Sequence, residues 1–157
     1  MNGWLTMHLV GVLLFAGNII TAAYWKVRAD LSNDRAHIHH TVRGVMLADY
    51  VFTLPGLALI IVSGIAMAAR EGIGLNGFNW LTASLILFGV TGAIWLAVLL
   101  PLQRAMIRHS KVGPDGQAGD AGLSPEYRRA SRLWAIFGIA ATLLPLVILY
   151  LMIAKSF

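Results

Sequence analysis

The chain contains no cysteine, which excludes disulfides, thiolate metal sites and cysteine nucleophiles. It is also poor in charge. Only 12% of its 157 residues are Asp, Glu, Lys or Arg, against roughly 25% in a soluble globular domain, and that shortage excludes an ordinary water-soluble domain. The sequence holds no phosphate-binding glycine loop, no Ser/His/Asp arrangement and no Glu–His metalloprotease signature. What is there is apolar: 58% of the residues are hydrophobic, the mean hydropathy is +0.73, and the apolar residues gather into four long blocks. The pI of 10.1 raises nucleic acid as a partner. The basic residues flank the apolar blocks, however, so the partner expected is the lipid bilayer and not nucleic acid.

The blocks cover residues 3–25, 45–69, 79–101 and 133–154. Each is long enough to cross ~30 Å of hydrocarbon at 1.5 Å per residue. Pro55, Gly56, Gly92 and Pro145 fall inside them, where membrane helices tolerate such residues. Trp4, Trp25, Trp80 and Trp134 fall at their ends, where indole rings prefer the headgroup layer. The expected fold is therefore all-α: a single-domain, multi-pass membrane four-helix bundle with up-down-up-down topology. Between the spans, Asp30-Leu-Ser-Asn-Asp34 offers a break with N-cap residues. Residues 112–123 read as a flexible Gly-rich linker. Ser124-Pro125-Glu126 then reads as the start of a fourth helix that carries Arg128, Arg129 and Arg132 along an anionic leaflet.

Ten of the twelve basic residues lie after the first and third spans; only Arg70 and Lys155 lie on the other side. The positive-inside rule then places both termini outside, in a bacterium on the periplasmic face of the inner membrane. No basic n-region precedes the first span, so it is expected to remain as an anchor and not to be cleaved.

Two seams carry the polar residues. In the first span Trp4, His8, Gly11, Phe15, Asn18, Ala22 and Trp25 follow a 4-3 spacing, and in the second Met46, Asp49, Thr53, Gly56, Ile60, Ser63 and Met67 do the same. Small and polar side chains collect on both, so these faces are expected to look into the bundle. Asn18 and Asp49 then share a depth about 8–10 Å inside the basic boundary. Asp49, the one ionisable group in the inner half of the core, needs hydrogen bonds or a counter-charge, since a charge there costs at least ~2.5–3.5 kcal/mol. Asn18 and the Trp95 indole are the candidate donors, with Arg43, Arg104 or Arg132 as reachable cations. Asn18, Asp49, Ser63 and Trp95 thus form the expected intramembrane polar network.

His8 sits near the opposite face, at a level that also offers Ser63, Ser84 and Tyr150. Met67 and Met152 lie nearby, and Arg70 and Lys155 could meet acidic groups at that surface. A buried imidazole with thioethers suits an axial ligand of haem b or a Cu(I) site; the alternative is a neutral imidazole bonded to a Ser hydroxyl. The other histidines, His37, His39, His40 and His109, all fall on the basic side. A bis-His haem within one chain is therefore excluded. The run His37-Ile-His39-His40 lacks an acidic or sulfur ligand to complete a metal site and reads as a polar juxtamembrane turn. A proton or solute pathway through Asp49 ranks lower, because one carboxylate makes no relay.

The stretch His8-Leu-Val-Gly-Val-Leu-Leu-Phe-Ala-Gly-Asn18 with Tyr24-Trp-Lys-Val-Arg-Ala-Asp30 resembles the bacterial integral membrane family DUF2269. Ala48-Asp49-Tyr50-Val-Phe-Thr-Leu-Pro55-Gly56 resembles its second-helix motif. Tyr127-Arg-Arg-Ala-Ser-Arg-Leu-Trp134 and Leu151-Met-Ile-Ala-Lys155 resemble its last helix. The resemblance spans nearly the whole chain and implies the four-span fold. The first-helix pattern of His8, Gly11 and Gly17 is also loosely similar to membrane protoporphyrinogen oxidases, which bind b-haem, and to copper-resistance inner-membrane proteins. That similarity implies a haem b or Cu(I) ligand at His8. Two functions are expected on these grounds. One is a redox or Cu(I)-handling protein with its cofactor held by His8, Met67, Met152 and Arg70. The other is a non-catalytic bundle that assembles as a homo-oligomer or within a larger membrane complex.

The charge bias makes topology testable. Cysteines introduced at Asn76 and Ser110 should react with an impermeant maleimide from opposite sides of the membrane, Asn76 from the periplasm. Labelling in the reverse sense would remove the assigned orientation.

Overall fold

A computed structural model describes residues 2–72, 77–111 and 123–154. Four helices run through them: α1 (Asn2–Ser32), α2 (Arg35–Arg70), α3 (Trp80–His109) and α4 (Pro125–Ala154). They hold 31, 36, 30 and 30 residues, or about 45–54 Å each at 1.5 Å per residue. All four exceed the ~30 Å hydrocarbon core, so each helix continues past its apolar span. The excess lies largely at the basic end, where α2 begins at Arg35 and α4 at Pro125.

Local chemistry sets these starts. The Asp34 side chain accepts from the Ala36 and His37 amides at 2.9 and 3.2 Å, and Asn79 accepts from the Thr82 amide at 3.0 Å. Ser124 accepts from the Tyr127 amide at 3.2 Å. Each side-chain oxygen satisfies an amide that the first turn leaves unpaired. Asp34 thereby starts the helix before the histidine run, which places His37, His39 and His40 on α2 and not in the turn the sequence suggested. The real turn is tighter, with Asn33 at φ 53° between α1 and the cap. Asn tolerates that left-handed backbone.

The helices pack as two antiparallel pairs, α1 on α2 and α3 on α4. The pairs join chiefly towards the basic end, where the first half of α2 meets the last turns of α3 and α1 meets α4. The contiguous core lies there too, among Ala29, Ile38, Val42, Val45, Leu99 and Met106. Near mid-membrane, α1 and α2 touch at Gly11 and Gly56. A Cβ on either would fall 2.9 Å from the other's carbonyl oxygen, so only glycine permits this approach. Phe15 and Phe88, with ring centroids 6.2 Å apart, carry contact across to α3.

Two helices change winding. Asp49–Thr53 in α2 and Trp95–Leu99 in α3 are π-helical, with the Leu54 amide donating to the Asp49 carbonyl and the Leu100 amide to the Trp95 carbonyl. Pro55 and Pro101 follow one residue later, after Leu54 and Leu100. A proline gives no amide to the carbonyl four residues back, and its ring crowds that carbonyl. Those residues, Val51 and Ala97, lie inside the π segments, where the wider turn absorbs the misfit.

The α1 seam runs as expected through His8, Gly11, Phe15, Asn18 and Ala22, then passes to Lys26 and Ala29. Trp25 is 59% exposed and Lys26 only 3%, because Lys26 finds partners on α4. On α2 Val45, and not Met46, is the buried residue at the start of the seam. Ser110 is fully buried, so Lys111, which is exposed, is the accessible position for the labelling experiment at that end. Asn76, Lys155 and residues 112–122 of the expected linker lie outside the described residues.

Candidate functional site

Asp49 is 6% exposed and collects donors from three helices. Asn18 Nδ2 on α1 donates to Asp49 Oδ1 at 2.8 Å and to Thr53 Oγ1 at 2.9 Å. The Thr53 hydroxyl donates to the same Oδ1 at 3.0 Å. On the other oxygen, Gln103 Nε2 of α3 donates at 2.6 Å, and the Trp95 indole approaches at 3.4 Å, a longer and weaker contact. Four donors therefore meet the roughly four lone-pair sites of a carboxylate. Asn18, Thr53, Trp95 and Gln103 are themselves buried. One atom is left over: Gln103 Oε1 is buried without a partner among the described residues.

Both π segments take part. Asp49 and Thr53 bound the first, and Trp95 opens the second. Trp95 and Gln103 are eight residues apart, which in a regular helix leaves them about 80° apart around the axis. The extra residue of a π turn takes back about one residue's rotation, ~100°, and brings both side chains to Asp49. Gln103 and Thr53 are the members that sequence reasoning missed. Gln103 fell beyond the expected third span and off the regular period of Trp95. Thr53 was placed on the seam but not at the carboxylate. Arg43, Arg104 and Arg132 are exposed, and none pairs with Asp49. The ion pair found among the described residues is Lys26–Asp30.

Ser63 lies elsewhere. It is 14 residues from Asp49 along α2, about 21 Å, and meets His8 Nδ1 at 3.1 Å. The Ser63 hydroxyl donates to the Leu59 carbonyl, so its oxygen is free to accept from the imidazole. Gly64 lies beside the ring, where a Cβ would come within 3.6 Å of His8 Cε1. Ser84 donates to the Trp80 carbonyl at 2.7 Å, and Tyr150 is exposed. Met67 and Met152 are half-buried, with no hydrogen bond to His8 among the described residues. Arg70 stacks over the Trp4 ring, 5.6 Å from its centroid.

At the basic end, Lys26 Nζ pairs with Asp30 Oδ2 at 2.5 Å and donates to Ser131 Oγ on α4. Tyr127 OH and Ser131 Oγ donate to Asp30 at 2.7 and 2.9 Å. The ammonium also lies 5.8 and 5.6 Å from the Tyr127 and Trp134 ring centroids, within cation–π range. His39 Nδ1 bonds Ser110 Oγ at 2.9 Å, while His37 and His40 are exposed. No group of three or more metal-ligating His, Cys, Asp or Glu residues occurs among the described residues.

Four long apolar helices, paired around buried polar clusters, define an integral membrane helical bundle. The chain matches the family described as "Predicted integral membrane protein (DUF2269)" over residues 4–156, and it belongs to that family. No curated protein and no solved structure matches it.

The Asp49 geometry fixes a mutational ranking. Asp49→Asn keeps a polar partner for the amides, whereas Asp49→Leu strands Asn18 and Gln103, each unpaired buried group costing about 1–3 kcal/mol. Asp49→Leu should therefore lower the unfolding temperature in detergent more than Asp49→Asn. The Asn18→Ala/Asp49→Leu double variant should cost less than the sum of its singles. Strict additivity would mean that the two side chains do not interact.

Proposed function

We propose that this protein is a proton-responsive membrane bundle, in which Asp49 takes up and releases a proton and so changes how α3 is held against α1 and α2. The observation that carries this reading is the pairing of a four-donor carboxylate with the orphaned Gln103 Oε1. In the charged state Gln103 donates through Nε2. Once protonated, Asp49 needs an acceptor, and a half-turn of the Gln103 amide supplies one in Oε1. Gln103 can thus satisfy either charge state, which accounts for a buried oxygen left idle in one of them. Thr53 can likewise accept or donate through its hydroxyl. The π segments add support, since such distortions occur frequently at functional sites. This reading replaces a relay with a single binding site, for which one carboxylate suffices.

Infrared difference spectra of the protein in lipid, recorded on acidification, test it. A protonated-carboxyl band should grow with falling pH, vanish in Asp49→Asn, and shift in Gln103→Leu. Superimposable spectra from the parent protein and Asp49→Asn, over the pH range in which both stay folded, would end the proposal.

A second reading rests on His8. With the Ser63 hydrogen committed to Leu59, the imidazole donates through Nδ1 and carries its lone pair on Nε2. Ligating histidines are commonly oriented by a hydrogen bond of this kind. His8 would then hold haem b, or alternatively Cu(I), at the end of the bundle remote from Asp49, with Met67 or Met152 as the thioether ligand. Purified protein from haem-supplemented cells should show a Soret band that His8→Ala abolishes and the His37, His39 and His40 alanine variants leave intact. Colourless, copper-free protein from supplemented cells would rule this reading out.

A further inference from the structure

At the basic end, a groove of about 350 Å³ opens between the last turns of α1 and the first turns of α4. Its walls include Lys26, Asp30, Arg128, Arg132 and Trp134. The one acidic group in the lining is already engaged three times, because Asp30 accepts from Lys26, Tyr127 and Ser131. The remaining donors are not. Arg128 and Arg132 stand one turn apart on one face of α4, are exposed, and form no side-chain hydrogen bond or ion pair among the described residues. Trp134 is nine-tenths buried, and its indole Nε1 has no acceptor among the described residues. The groove thus presents two guanidinium groups, with a neutralised ammonium and the buried indole N–H of Trp134 in its wall.

Its depth identifies the chemistry that would. Residues 128–134 occupy the first ~15 Å of a helix about 45 Å long, which extends beyond the ~30 Å hydrocarbon core. They stand at headgroup level, with Trp134 at the border where indoles prefer to lie. Val27 in the groove wall is 55% exposed, and Ile136, on the deeper side of Trp134 along α4, is also 55% exposed. An anionic headgroup above and acyl chains below fit this sequence of surfaces. Guanidinium pairs bind phosphate in a fixed fork geometry that lysine cannot reproduce.

We propose that this groove binds the phosphate of an anionic phospholipid, held by Arg128, Arg132 and the Trp134 indole, with Lys26 and Asp30 as the fixed floor. The lipid thereby braces α4 against α1 at the end where the two helix pairs join. This site is independent of the protonation of Asp49.

Native mass spectrometry of the detergent-solubilised full chain tests it, with phosphatidylglycerol, phosphatidylcholine and inorganic phosphate as separate titrants. Phosphatidylglycerol should bind in a one-to-one adduct, with phosphatidylcholine and inorganic phosphate at least tenfold weaker. Each of Arg128→Gln and Arg132→Gln should weaken phosphatidylglycerol about fivefold, the worth of one basic residue near an anionic surface. Trp134→Phe, which keeps the ring over Lys26 but removes the N–H, should weaken it without unfolding the protein. An Arg43→Gln/Arg104→Gln pair, which removes twice the charge of either groove variant from exposed positions outside the groove, should leave the adduct unchanged. Equal loss in that control pair would make the attraction diffuse and overturn the site. Equal binding of phosphatidylcholine would remove the requirement for an anion, and equal binding of inorganic phosphate would remove the lipid. Unfolding temperatures in detergent equal to the parent's in the groove variants, together with their weaker adduct, would assign the loss to the groove and not to unfolding.

Discussion

A carboxylate inside a bilayer has to be compensated, and much of this structure is arranged around that requirement. The cost of placing Asp49 there, at least ~2.5–3.5 kcal/mol, exceeds any one interhelical hydrogen bond, which averages about 0.6 kcal/mol in membranes. No single partner could offset it. Donors therefore converge from α1, α2 and α3, and each donor fixes the rotation of the helix that carries it. Thr53 and Asn18 bind one oxygen while Gln103 and Trp95 approach the other, so the carboxylate sets the register of three helices at once.

Backbone geometry makes that convergence reachable. Gly11 and Gly56 let α1 and α2 approach until a Cβ would strike the neighbouring carbonyl, which brings Asn18 within reach of Asp49 two turns further along α1. The π segments before Pro55 and Pro101 rotate the turns beyond them, so that Gln103 joins Trp95 on one side of α3. The fourth helix is attached differently. It has no donor to Asp49 among the described residues and is held to α1 by the Lys26–Asp30–Tyr127–Ser131 cluster, where loss of Asp30 would leave the buried Lys26 ammonium without its counter-charge.

The two helix pairs are thus clamped near their basic ends by polar side chains and apolar core alike, while the His8 ends are joined mainly within each pair. That asymmetry matters for function. On the reading proposed above, a change of charge at Asp49 would act where the pairs meet, and a headgroup in the α1–α4 groove would act beside it. Among the described residues His8, near the other face, is tied to α2, through Ser63 and the Ile60 backbone.

Much was legible in the sequence because a membrane imposes simple rules. The length of the apolar blocks, the caps at Asp34 and Ser124, and the 4-3 seams all derive from the rise and period of a regular helix and from the poor solvation of polar groups in lipid. They identified four helices, the inward faces of α1 and α2, and the shared depth of Asn18 and Asp49. Gln103 was hidden because a π turn breaks the period by which a face is read. Lys26 was hidden because a lone lysine at a span end reads as solvated until its partner Ser131, 105 positions away on α4, is known. The sequence alone determined which segments cross the membrane and which residues avoid lipid, since both depend on local composition. Only the tertiary structure decided which polar groups meet, because that depends on helix rotations summed over many turns and on the separation that two glycines allow.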